Sequence, residues 1–181
     1  SLFEIAKAAE TLGIRTCLAY EISDREGKKK RDEAIEESMR FLSYVQEKNS
    51  PMLKGMIGLH ASFTLSDETL ALCRKENTFH AGYHVHIAEG QYDEAHCQKT
   101  YGMSVVERFA KERILGENTI AGHCIHVSES DLDLLKKTNT TVIHNPESNM
   151  GNAVGAPDII KMLDKGILVG LGTDGYTQDM T

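Results

Sequence analysis

The 181-residue sequence predicts an α/β protein, a partial (β/α) barrel of about six parallel strands with helices on the outer side. Three observations carry this reading. Short apolar, β-branched runs alternate with stretches of helical period along the chain. Strands separated by helices imply parallel βαβ units. Each strand from the second onward ends in a group able to do chemistry. An open doubly wound sheet would gather such groups at one switch point, whereas a barrel brings them from several strands to one mouth.

The elements follow in order. Leu2–Leu12 is helical in spacing and stops at Gly13, and a strand follows near Arg15–Tyr20. The run Lys28, Lys29, Lys30, Arg31 reads as a solvated loop and helix start rather than a basic patch. Asp32–Glu47 places Ile35, Met39, Leu42 and Val45 close to one helical face. The second strand, near Gly55–Leu59, ends at His60. Ser66, before Asp67 and Glu68, caps a helix over Asp67–Lys75. The third strand, Ala81–Ile87, ends in His86 with Glu89 beyond it, and Ser104–Leu115 is the next helix, ending at Gly116. The fourth strand, Thr119–Val127, carries His123 and His126, and Ser130 is placed to cap Asp131–Lys137. Thr140–Ile143 delivers His144 and Asn145. Pro157 leads a helix over Asp158–Leu163 that ends near Gly166, and the last strand, Ile167–Leu171, leads to Asp174.

Composition narrows the function classes. Twenty Lys and Arg against 27 Asp and Glu leave a net charge of −7, which argues against nucleic acid or an anionic membrane as partner. No apolar run approaches the ~18 residues of a membrane helix. The opening SLFEIAKAAE has neither a basic n-region nor an apolar h-region, so no signal peptide is expected. Cys17, Cys73, Cys97 and Cys124 form no CxxC pair and read as reduced, mostly buried thiols, as in a cytoplasmic protein.

The chemistry-bearing motifs lie at strand ends. In HVHIAE, His84 and His86 share one strand face, and Glu89 follows three residues after His86. A metal ligand with a carboxylate nearby suits metal-activated water and a proton shuttle, although two core histidines and a surface glutamate would leave the same string. GHCIH brings His123 to a strand end, where a lone histidine is more often a hydrogen-bonded core residue. HNPESN is a polar loop, or merely a capped turn before Pro157, and LGTDG offers Asp174 either as a metal ligand or as part of an ordinary turn. His60, in GLHAS, is the weakest single signal.

Taken together, HVHIAE, GHCIH, HNPESN and LGTDG, in this order and at these spacings, resemble the amidohydrolase superfamily in its deaminase and chlorohydrolase-like branch. The string HNPESNMGNAVG further resembles the aminohydrolases called SsnA. The resemblance implies a TIM-type barrel of which this chain supplies strands three to eight. It implies one divalent metal ion, zinc or iron, with His86 and Asp174 as ligands. It makes Glu89 the proton shuttle, His123 the residue beside the attacking water, Asp174 a second base toward that water, and His60 a substrate contact. The implied reaction is hydrolysis of an exocyclic amine on a nitrogen heterocycle. A chlorohydrolase, another C–N hydrolase, or a metal-free scaffold that has kept the fold are the alternatives.

The His-x-His pair of the family's first strand has no counterpart upstream of His84, since only His60 and His80 precede it. The expectation is therefore a single partial domain over residues 1–181, truncated at both ends, inactive alone, and holding metal weakly or not at all. Its outer strands should present unpaired edges and favour self-association. Ala61-Ser62-Phe63 and Met150-Gly151-Asn152 depart from the usual family residues and leave the substrate open.

Overall fold

The computed structural model describes residues 1–175. The elements run α1 (Leu2–Thr11), β1 (Thr16–Ile22), α2 (Lys28–Lys48), β2 (Leu53–Ala61), α3 (Asp67–Glu76), β3 (Tyr83–Ile87), α4 (Gln91–Tyr101), α5 (Val105–Lys111), β4 (Ile120–His123), α6 (Glu129–Lys137), β5 (Thr141–His144), α7 (Pro146–Gly151), α8 (Ile159–Asp164) and β6 (Val169–Leu171). The six strands form one parallel sheet ordered as in the chain. No helix among the described residues is long and apolar enough to cross a membrane.

Two compact units make up the chain, residues 1–60 with 64–84, and residues 61–63 with 85 onward. In the first, Leu2 and Ala6 of α1 pack with Phe41 of α2 and Leu53 of β2. Phe3 and Phe41 meet edge to face at 5.6 Å. Strands β1 and β2 pair from Thr16 with Leu53 to Ile22 with Leu59. Gly58 permits this approach, because a Cβ there would lie 2.5 Å from the Tyr20 carbonyl oxygen. Lys28, Lys29 and Lys30 are exposed at the start of α2 as expected, but Arg31 is not. Its side chain is 4% exposed, paired with Asp24 at 3.8 Å, Asp32 at 2.8 Å and Glu68 at 3.4 Å.

The second unit buries Val85 and Ile87 of β3, Ala121 of β4, Val142 of β5, Val105, Val106 and Phe109 of α5, and Leu132 and Leu135 of α6. Burial alternates along β3, with Val85 and Ile87 buried and His86 only half-buried.

Several local expectations change. Helix α6 is capped by Ser128, not Ser130: Ser128 Oγ accepts the Asp131 amide and the Asp131 carboxylate accepts the Ser128 amide. Helix α5 stops at Lys111 rather than Leu115, and Arg113, not Gly116, takes positive φ. Strand β4 stops at His123 rather than Val127 because His123 and Cys124 adopt φ of 69° and 50°. Helix α4 buries only Asp93 and Cys97 and so leaves no apolar period to read. The HNPESN segment, expected to be a loop, forms α7 with Pro146 in its first turn, where its missing N–H has no intrahelical partner to lose. Cys73, Cys97 and Cys124 are buried free thiols, and Cys17 is exposed.

Candidate metal centre

The site is built where β3 and β4 end. Past Ile87, Ala88 turns the chain with φ of 48°. Its amide donates to Asp93 Oδ2 at 3.1 Å, and its carbonyl accepts the amides of Ile125 at 3.2 Å and His126 at 3.0 Å. The Ile87 carbonyl accepts the Cys124 amide at 2.9 Å. These bonds tie the two strand ends together and set Glu89 beside His123. Asp93 is buried, and burial pushes its carboxyl up to about 6 against the pull of the Ala88 and Phe63 amides and Arg108. Arg108 is itself buried, donating to the Ser62 carbonyl at 2.8 Å and hydroxyl at 2.9 Å and lying 3.8 Å from the centre of the Tyr101 ring.

On this frame the ligating atoms of His86, Glu89 and His123 all come within 4.8 Å of one another. His86 Nδ1 lies 3.2 Å from His123 Nε2. Glu89 Oε2 is 3.8 Å from His123 Nε2 and 4.0 Å from His86 Nδ1. Asp174, which follows β6 with φ of 57°, brings Oδ2 to 3.5 Å from the same His123 nitrogen. Burial tends to raise the Asp174 carboxyl, but the Ser148 hydroxyl, the Gly175 amide and the two histidines outweigh it and hold the group below the usual range.

His86, Glu89, His123 and Asp174 thus converge. His60 belongs to the first unit, with its ring Nδ1 2.8 Å from Thr64 Oγ1. His126 lies 2.9 Å from the Val154 carbonyl through Nε2. His144 has its pKa lowered by burial and by the neighbouring His123.

Helix α7 and its two cap residues supply side chains to which the motif reading gave no role. Asn149 Oδ1 is 2.8 Å from His123 Nδ1, and Asn145 Nδ2 is 3.4 Å from His123 Nε2. Ser148 Oγ donates to Asp174 Oδ2 at 2.7 Å, and Asn152 Nδ2 donates to Glu89 Oε1 at 3.3 Å. Positions 145, 148, 149 and 152 follow the i, i+3, i+4, i+7 rule for one helical face. That polar stripe was the signal available in the sequence.

The donor set fits a divalent ion. Two imidazole nitrogens and two carboxylates are the ligand types of zinc and non-haem iron sites.

The sequence profile of the Amidohydrolase family matches residues 1–180. The chain belongs to the amidohydrolase family. Among related amidohydrolases, it is 35% identical to the 5-methylthioadenosine/S-adenosylhomocysteine deaminase of Pyrococcus furiosus, over 98% of this chain and 43% of that one. It is 36% identical to a 5'-deoxyadenosine deaminase of Methanosarcina barkeri, over 95% of this chain and 40% of the other. This amidohydrolase chain therefore spans about two fifths of the length of these curated relatives. Its fold matches part of an adenosine deaminase from Xanthomonas campestris solved with bound zinc, with a TM-score of 0.85 and 22% identity, covering 94% of this chain and 39% of that one. The six parallel strands and their helices are thus part of an amidohydrolase (β/α) barrel.

Proposed function

We propose that the protein carrying this chain is a metal-dependent aminohydrolase that removes an exocyclic amino group from a purine-type heterocycle, with adenosine analogues the leading class. The observation that carries the reading is the convergence of His86, Glu89 and His123 at the ends of β3 and β4, with Asp174 at 3.5 Å from His123. The two curated relatives named above are deaminases of adenosine analogues, which supports the substrate class.

In this reading His86 and Asp174 hold one zinc or iron ion. When bound, such an ion lowers the pKa of a coordinated water from ~15.7 toward ~7. Asp174 accepts a proton from the attacking water. Glu89 delivers a proton to the ring nitrogen next to the attacked carbon, which makes that carbon a better electrophile. Oxygen then bonds to the carbon, the C–N bond to the amino group breaks, and a proton passed through Glu89 lets ammonia leave. His123 hydrogen-bonds the developing hydroxyl, and His60 keeps the substrate contact that the family resemblance assigns it. The finer kinship with the SsnA aminohydrolases rests on HNPESNMGNAVG. The reading also takes a small heterocycle as partner in the cytoplasm, one partial barrel domain over this chain, and self-association through outer strand edges.

Ammonia release from adenosine, 5'-methylthioadenosine, S-adenosylhomocysteine, guanine and cytosine tests the proposal, using the full-length reading frame purified with zinc or iron. Release from at least one adenosine analogue is expected. No ammonia from any of them, with the ion bound, would overturn it.

A further inference from the structure

We infer that Asn149 is a positioning residue that fixes the ring tautomer of His123, with the proton on Nδ1 and the Nε2 lone pair turned toward the centre. A neutral imidazole carries one N–H and one lone pair, and its neighbours decide which nitrogen has which. His123 is fully buried, so water cannot exchange the two forms freely, and its partners must be protein groups. On one side stands Asn149 Oδ1, an acceptor only, 2.8 Å from Nδ1. On the other side Asn145 Nδ2, a donor only, approaches Nε2 at 3.4 Å. Both contacts favour the same tautomer; the Asp174 and Glu89 oxygens, 3.5 and 3.8 Å from Nε2, pull the other way but stand farther from the ring than Asn149 does.

The amides are themselves held. Asn149 is 1% exposed and directs its Nδ2 toward His144 Nδ1 at 3.4 Å. Its backbone amide is bonded to the Asn145 carbonyl at 2.9 Å within α7. Gly172 leaves room for the Asn145 side chain, since an added methyl there would run into its Oδ1 and lie 2.7 Å from Ile143 Cγ2. The consequence is a lone pair, not an N–H, at the nitrogen that faces His86 Nδ1 before any ligand arrives. A ring with its proton on Nε2 would instead place an N–H in the middle of the ligand set.

The inference rests on His123 belonging to the centre, but its test does not depend on the substrate. Nitrogen-15 NMR of the imidazoles in this full chain, stripped of metal by a chelator and held well above the titration range of imidazole, reads the tautomer directly. His123 should be protonated at Nδ1 in the wild type. Asn149→Leu, which removes the acceptor, should move the proton toward Nε2. Asn149→Asp, which keeps an acceptor oxygen, should retain the Nδ1 proton. A wild-type His123 protonated at Nε2 would overturn the inference, as would an unchanged tautomer in Asn149→Leu. Should that variant fail to fold, the wild-type spectrum and Asn149→Asp still decide. Loss of deaminase activity with the tautomer as stated would count against the proposed function and leave this inference standing.

Discussion

The Asp174 carboxylate accepts a hydrogen bond from Ser148 Oγ at 2.7 Å, so an acid placed by the end of β6 is held by helix α7. The hydroxyl favours the charged form and helps keep the carboxyl below its usual range. A lowered acid adds stability above its unfolded pKa of ~3.9, and that stability is lost as pH falls through the folded value. Ser148→Ala should therefore cost about 1–2 kcal/mol at neutral pH. The difference from wild type should shrink in acid, as the pH falls below the lowered Asp174 value and the carboxyl is protonated in both proteins. Urea unfolding of the metal-free chain at neutral and acid pH measures it, and an equal cost at both would exclude the charged hydrogen bond as its source.

Glu94 offers the opposite sign. Burial, opposed by its bond from the Val105 amide and reinforced by Asp131, Asp93 and Glu107, pushes its carboxyl up to about 7. A raised acid gives stability that is present below its unfolded pKa and lost as pH rises through the folded value. Glu94→Gln keeps an acceptor for Val105 and removes the charge. It should raise stability by about 1 kcal/mol at pH 8 and change little at pH 5. Thermal melts at both values check this, and equal shifts would show that packing, not charge, is responsible.

Arg108 sits fully buried between the Ser62 backbone and the Tyr101 ring, near the buried Asp93 carboxylate that receives the Ala88 amide. Removing its donors leaves the buried Ser62 carbonyl and hydroxyl without them, at a typical cost of ~1–3 kcal/mol. Arg108→Met should show a loss of that size in denaturant unfolding. Arg108→Lys, which keeps the charge but not the planar fork, should lose less. Equal losses would place the stabilisation in shape rather than charge.

The strand and helix alternation was legible because apolar runs and caps such as Ser66 are local signals, and the Ser66 cap is observed. His86, Glu89, His123 and Asp174 could be singled out because each lies at or just past a strand end. Local pattern could not place Arg31, whose burial depends on Asp24 and Glu68 from distant parts of the chain. Nor could it foresee α4, whose buried positions are an acid and a thiol rather than an apolar stripe. Helix α7 was hidden for a related reason. Its face reads Asn145, Ser148, Asn149, Asn152, polar throughout, so a search for hydrophobic period takes it for a loop. What stabilises that face is the site itself, through His123, Asp174 and Glu89.

Glu89 separates two roles that its position alone leaves together. Its Oε2 lies within 4.0 Å of both ring nitrogens, as a ligand would, while Oε1 accepts a hydrogen bond from Asn152 at 3.3 Å. As the proton carrier of the proposed reaction, it would give a proton to the ring nitrogen and regain one before ammonia leaves, and ligation of the ion would fall to His86 and Asp174. Glu89→Gln has nearly the same shape and can still meet Asn152, but it has no carboxyl proton to give. The full-length enzyme with this substitution should bind zinc at wild-type stoichiometry and lose kcat by ~10²–10⁴-fold, the usual worth of general acid–base help. His86→Ala and Asp174→Asn should lower zinc content as well as rate. Metal analysis and steady-state kinetics on the same preparations measure both quantities. A fall in zinc content in Glu89→Gln would make Glu89 a ligand. Near-normal turnover with zinc retained would remove it from proton transfer, and His123, 3.8 Å away, would then be the first group to test in that role.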